Sequence, residues 1–283
     1  TVFKIMTFLK FNWAPNEKLF EIGGFGIHIY SLMFIIAFLL GLRLYKKMFI
    51  KENIDQKYLE PLFVYMVVST LLGARLGEVF FYNWDYFQNH LVEILLPIKE
   101  RADGSGYDFI GFRGLASHGA AIGIMTGIFL YQRVYKFKPL IWILDRLSIP
   151  VAIGGFFVRI GNFFNSEIVG KYTGSNFGVV FENRGEMLPR YPAQIYEAFG
   201  YMILFFILRK IYKSRLRDQA GFLLGLFFTG LFSIRFLVEF VKESQGGFED
   251  IMPMFSTGQW LSIPFIIFGL VLLALSFRKR KLN

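Results

Sequence analysis

Eight ionisable residues interrupt long apolar runs in this chain. They are Arg75 and Glu78, Asp145 and Arg146, Arg159, Glu197, and Arg235 with Glu239. A charge within an apolar span is expensive and faces a partner or a wet cavity rather than lipid tails. Arg235 and Glu239 are four residues apart, and Arg75 and Glu78 are three apart. Each pair therefore shares a helix face, and mutual neutralisation is one reading. The other reading is a site. Arg159 is followed by Asn162, Asn165 and Glu167, and elsewhere His28, Tyr30, His118, Gln194 and Gln259 stand at the ends of apolar runs. Guanidinium groups backed by imidazole and amides suit a phosphate, because arginine makes two parallel hydrogen bonds to phosphate oxygens. Phenylalanine walls around such a group suit a phospholipid. The residue types leave open whether the lipid is bound, moved or chemically changed.

The elements that position these residues follow from composition. The chain has 283 residues, 54% hydrophobic, with 36 phenylalanines and no cysteine. Mean hydropathy is +0.46. These values imply an all-α polytopic membrane protein. Without cysteine there is no disulfide, thiolate nucleophile or Cys-ligated metal. The first apolar run starts near residue 26, after a stretch carrying acids as well as lysines, so no cleavable leader is expected. Seven spans are read near 26–45, 59–82, 115–132, 140–160, 193–212, 220–241 and 258–277. The loops on one side hold seventeen Lys and Arg, from Arg43 to Lys281, and those on the other hold ten, from Lys4 to Lys242. The positive-inside rule puts the richer side in the cytoplasm, the N-terminus outside and the C-terminus inside. The net charge of +10 is then ordinary membrane topology, not a nucleic-acid footprint. With this orientation every span sends polar residues toward the outer leaflet. Only Asp145 and Arg146 lie toward the inner half, and they are read as structural. The whole of 1–283 is expected to be one transmembrane domain. The loops 83–114 and 161–191 are its longest outer segments and would form a small head.

The stretch VRIGNFFNSEIVG (158–170) resembles the signature of the prolipoprotein diacylglyceryl transferase family, through Arg159, Gly161, Asn162, Phe163, Asn165, Glu167 and Gly170. Six further blocks resemble that family in order: IHIYSLMF (27–34), GARLGEVFFYN (73–83), GLASHGAAIG (114–123), YPAQIYEA (191–198), IRFLVEFVKE (234–243) and TGQWLSIP (257–264). The chain departs from the pattern at Val158, Ala120, Tyr191 and Ala193, where the family has glycine, glycine, histidine and serine. No role proposed for that histidine carries over to Tyr191.

The resemblance implies transfer of the sn-1,2-diacylglyceryl group of phosphatidylglycerol to the lipobox cysteine of a prolipoprotein signal peptide. A thioether forms and glycerol-1-phosphate leaves, in the bacterial cytoplasmic membrane and toward its outer leaflet. No cofactor and no metal are implied. Arg159 and Arg235 would clamp the lipid phosphate. His118 would be the general base, with Glu239 either orienting Arg235 or serving as the base itself. Asn162, Glu167 and Gly170 would belong to the lipid site, with His28, Tyr30, Arg75, Tyr82, Gln194 and Gln259 as further contacts. His90 is read as a solvated loop residue. A phospholipid transporter or flippase is the alternative; it would more often carry its site near the midplane and show repeated halves.

Overall fold

A computed structural model describes residues 10–16, 18–22, 25–101, 103–109, 116–244 and 254–280. Lys4, Arg113 and Lys281 of the charge argument, and Gly114 and Leu115 of one family block, lie outside them. Seven helices of 17 residues or more stand where the seven spans are read. They are α1 (Ile29–Lys51), α2 (Leu59–Phe81), α5 (Ser117–Tyr135), α6 (Leu140–Phe164), α7 (Ala193–Tyr212), α8 (Phe222–Val238) and α9 (Thr257–Arg280). Two short helices, α3 (Trp84–Phe87) and α4 (Leu91–Leu95), follow α2. Three single-turn 3-10 helices and six short strands complete the described elements, the strands being β1 (Lys10–Trp13), β2 (Lys18–Ile22), β3 (Phe25–His28), β4 (Ile98–Glu100), β5 (Tyr107–Phe109) and β6 (Gly178–Phe181). Four stretches are long and apolar enough to cross a bilayer by length and composition: Ile29–Lys51, Gln56–Phe81, Leu140–Phe164 and Thr257–Arg278. The protein is an all-α polytopic membrane protein.

Several helix ends differ from the spans by three to six residues, and the first helix starts at Ile29 because 25–28 form β3. The first helix continues to Lys51 because Tyr45, Met48 and Phe49 extend a buried i, i+3, i+4 stripe while Lys46 and Lys47 stay exposed. The sixth stops at Val238, where Glu239 to Lys242 turn the chain.

The chain divides into two compact units, Thr1–Tyr45 with Ile141–Asn283, and Lys46–Leu140. In the first, buried Asp145 on α6 accepts from the backbone N–H of Gly221 and Leu224, at 2.8 Å each. A carboxylate there satisfies the orphan donors at the start of α8 and complements its dipole. The Tyr45 hydroxyl donates to the Ile143 carbonyl at 3.0 Å. β1 pairs in parallel with β6. Trp13 stacks on Phe163 at 4.5 Å and donates Nε1–H to its carbonyl at 2.9 Å, over a small core of Val169, Val179 and Phe181.

In the second unit, α2 and α5 touch backbone to backbone. A Cβ on Gly77 would lie 2.6 Å from Gly119 Cα, and one on Gly73 would lie 2.7 Å from Gly123 Cα. Only glycine permits that approach. A groove of about 710 Å³ runs beside the crossing, lined by residues such as Val68, Leu72, Phe80 and Ile122. The loop beyond α2 holds α3, α4 and the β4–β5 antiparallel hairpin.

Candidate active site

The signature residues form one chain of polar contacts at the C-terminal end of α6. Arg159 ion-pairs through Nε with Glu197 of α7 and donates from Nη1 to Asn162 Oδ1 at 2.9 Å. Asn162 Nδ2 donates to Glu167 Oε1 at 2.7 Å, and Asn165 Nδ2 reaches the same oxygen at 3.3 Å. Gln194 Nε2 donates to the Glu167 carbonyl at 2.7 Å. The Tyr30 hydroxyl lies within reach of the Asn162 side chain and within electrostatic reach of Glu167 and Arg159. The Tyr30 ring packs on Gly161, where a Cβ would sit 2.8 Å from the ring. Tyr30, Arg159, Asn162, Glu167 and Gln194 are thus brought together as the spacing suggests. Between them the backbone holds two left-handed non-glycine residues, Ser166 (φ 52°) and Ile168 (φ 58°). For β-branched Ile168 that conformation is costly, about 1–3 kcal/mol, and the polar contacts on either side hold it in place.

Gly170 ends this segment as a junction of three strands of chain. Its N–H donates to the Tyr191 carbonyl at 3.0 Å, and it forms a bridge with Lys242. A Cβ would lie 2.7 Å from Tyr191 Cβ and 2.8 Å from the Val241 carbonyl oxygen. The sequence places Gly170 among lipid contacts; in the fold its space is filled by backbone.

Arg235 and Glu239 do not pair with each other. Glu239, 6% exposed, takes Lys242 Nζ at 2.8 Å on Oε1 and the Ser256 hydroxyl at 3.1 Å on Oε2. The reason is cost. Lys242 is itself 4% exposed, and a buried ammonium without a counterion is far less favourable than a partly open arginine. Glu239 therefore makes no direct contact with Arg235, the first of the two roles the sequence leaves open for it. Arg235 is left with no hydrogen-bond or ion-pair partner among the described residues, and its Nε is buried. It stands within electrostatic reach of Tyr201, which also neighbours Glu197 and Arg159.

Gln259 is committed to a helix start. Its N–H donates to Ser256 Oγ at 3.2 Å, its Oε1 accepts from the Ser256 N–H at 2.9 Å, and its Nε2 reaches the Phe236 carbonyl at 3.3 Å. The first two bonds form a capping box, legible as S-x-x-Q at 256–259. His28 ends β3, partly buried, opposite Lys18.

Arg75, Tyr82 and His118 belong to the second unit. Arg75 donates from Nε to the Ile94 carbonyl at 3.0 Å and from Nη2 to the Glu93 carbonyl at 2.7 Å, over the face of Phe87. It pins α4 to α2 and does not turn to Glu78, which takes the Asn83 amide at 2.7 Å instead. Tyr82 is 61% exposed at the end of α2, and His118 is exposed in the first turn of α5.

Candidate residues outside the implied catalytic and lipid-contact set are Glu197, Tyr201 and Lys242. Gln194, Glu197 and Tyr201 fall at i, i+3 and i+7, a polar stripe along the buried face of an otherwise apolar helix. That spacing is the signal that finds the first two. Lys242 carries no such signal; in sequence it is one more basic residue beyond a span.

Beyond the membrane-spanning helices, Glu186 joins Arg190 at 2.5 Å and Arg184 at 2.9 Å. Burial alone would raise the Glu186 carboxyl, but these two guanidinium partners hold it below the ordinary carboxylate range.

A family model described as prolipoprotein diacylglyceryl transferase matches residues 17–275. A protein of Bacteroides fragilis named phosphatidylglycerol--prolipoprotein diacylglyceryl transferase is 40% identical over 276 residues, covering 97% of this chain and 98% of its own. Proteins of the same name from Tolumonas auensis and Chloroherpeton thalassium are each 38% identical, over 268 and 272 residues. They cover 95% and 96% of this chain, and 98% and 96% of their own lengths.

Proposed function

Because this chain belongs to the prolipoprotein diacylglyceryl transferase family, we propose that it moves the sn-1,2-diacylglyceryl group of phosphatidylglycerol onto the cysteine thiol of a prolipoprotein lipobox. It is a transferase acting in the first step of lipoprotein maturation. A carbon–sulfur bond forms at the glycerol carbon as its carbon–oxygen bond to phosphate breaks. Glycerol-1-phosphate leaves with that electron pair, and the thiol proton goes to a base.

The observation that carries the site assignment is Arg235, a guanidinium with a buried Nε and no partner among the described residues. A buried donor left unpaired costs roughly 1–3 kcal/mol, and a phosphate oxygen repays it. As the leaving phosphate gains charge, a donor fixed in advance stabilises that charge without reorganising. Arg159 plays a different part. Its charge is answered by Glu197, and it holds the 162–167 turn against α7. His118 is the proton acceptor, since both Glu239 oxygens are already engaged while the imidazole is exposed. The protein sits in the bacterial cytoplasmic membrane with its N-terminus outside, its C-terminus cytoplasmic and this site toward the outer leaflet. The excess of basic residues in one set of loops supports that orientation.

The test uses purified protein in micelles with phosphatidylglycerol and a lipobox peptide, following thioether product and glycerol-1-phosphate. The parent makes both; Arg235→Ala makes neither at a comparable rate. In His118→Gln, activity that returns at raised pH supports general-base assistance. A folded parent that leaves the lipid chemically intact would sink the transferase reading in favour of transport.

A further inference from the structure

A second set of ligating side chains lies in the loop that follows α2, wholly inside the second unit. One ring nitrogen of His90 and one carboxylate oxygen each of Glu93 and Glu100 lie within 4.8 Å of one another. Their surroundings orient them. The His90 ring stacks flat on Tyr86, with centroids 4.1 Å apart and planes 7° apart. His90 Nδ1 lies 2.9 Å from the Tyr86 carbonyl oxygen. An Nδ1–H donating there leaves the lone pair on Nε2, the second-shell arrangement that presents an imidazole to a metal. Glu93 is 2% exposed. Its Oε2 accepts from the Tyr86 hydroxyl at 2.8 Å and its Oε1 from the Glu100 N–H at 2.8 Å. Arg75 lies within electrostatic reach of Glu93, but its Nε and Nη2 bond the carbonyls of Ile94 and Glu93 and leave Glu100 unanswered. Among the described residues no lysine or arginine ion-pairs with Glu93 or Glu100.

A buried carboxylate beside a second carboxylate is unfavourable unless a cation answers both. An imidazole in the set disfavours calcium and magnesium, which take oxygen ligands, and suits a first-row divalent ion.

We propose that His90, Glu93 and Glu100 form a zinc-class divalent cation site that ties the start of α4, α4 itself and β4 together. Three protein ligands leave one tetrahedral position for water. Zinc bonds of about 2.0–2.2 Å place ligand atoms roughly 3.5 Å apart, so the set closes by about 1 Å. Exposed Glu100 supplies that movement, while Glu93 and His90 are already held.

The proposal does not depend on the transferase reading, because zinc binding is measured without lipid or peptide. The full chain in micelles is stripped with a chelator and titrated with zinc by calorimetry, with thermal unfolding followed in parallel. The parent is expected to bind one equivalent and to melt higher in zinc. His90→Ala and Glu100→Gln, each melting like the metal-free parent, are expected to lose at least about tenfold in affinity. Cobalt(II) in place of zinc gives the intense visible bands of a tetrahedral site in the parent and not in His90→Ala. Absence of any zinc-dependent shift in the folded parent overturns the site. So does equal binding by both variants, which means an adventitious ion only.

Discussion

Arg75 and Arg235 are both arginines in apolar helices, and the fold treats them in opposite ways. Arg75 is 7% exposed and gives its donors to two backbone carbonyls under an aromatic ring. Arg235 is partly open and keeps a buried Nε without a partner among the described residues. An arginine bonded to main-chain oxygens holds two pieces of chain together. One left with donors to spare is poised for a ligand. Arg159 lies between these cases, its charge neutralised by Glu197 and its remaining bonds spent on the signature turn. Arginine within a span therefore does not by itself mark a phosphate site; its partners decide.

The comparison can be broken most directly at Glu197. Glu197→Ala leaves Arg159 buried without its counterion and is expected to cost about 3–5 kcal/mol of stability. A shift in the denaturation midpoint of purified protein measures it. If the midpoint does not move, Arg159 is not held as described. Arg235→Ala should behave in the reverse manner. The midpoint stays near that of the parent, while kcat falls about 10²–10³-fold, as expected for loss of one preorganised donor. A variant that instead melts early would make Arg235 a pin like Arg75. Arg75→Ala strands the Glu93 and Ile94 carbonyls and should cost about 1–3 kcal/mol, measured by unfolding. Its rate per folded molecule should fall far less than that of Arg235→Ala.

The smallest expected effect lies at Glu186. Its folded carboxyl titrates below its unfolded value, so its contribution is present above the unfolded pKa of about 4.3 and fades as pH falls through the folded one. Unfolding midpoints between neutral pH and pH 3 should therefore fall less steeply in Glu186→Gln than in the parent. Parallel curves would remove the Arg184–Glu186–Arg190 cluster from the stability argument.

Much of the fold is legible in the sequence because hydropathy acts locally. Spans 59–82, 140–160, 193–212 and 258–277 coincide closely with helices, since apolar length alone dictates a helix where no water can satisfy the backbone. Helical spacing also announces the Gln194, Glu197 and Tyr201 stripe and the S-x-x-Q cap. The pairing of β1 with β6 was not legible: it joins four-residue segments more than 160 residues apart, and GVVF of β6 has no alternating pattern to match that of β1.

What the sequence by itself determined was the class of protein, the seven helices, the family signature and the collection of polar groups at helix ends. Those follow from composition, period and local spacing. Only the tertiary structure decided which charges answer one another. Spacing says that Arg235 and Glu239 share a face, but Lys242 and Ser256 take the carboxylate because burial makes an unpaired lysine the costlier outcome. Spacing offers Glu78 to Arg75, yet the carbonyls of α4 take its donors. A helix repeat sets which groups can meet within an element. The desolvation of each group by neighbours from other elements sets which meeting is worth making, and that exists only once the chain has packed.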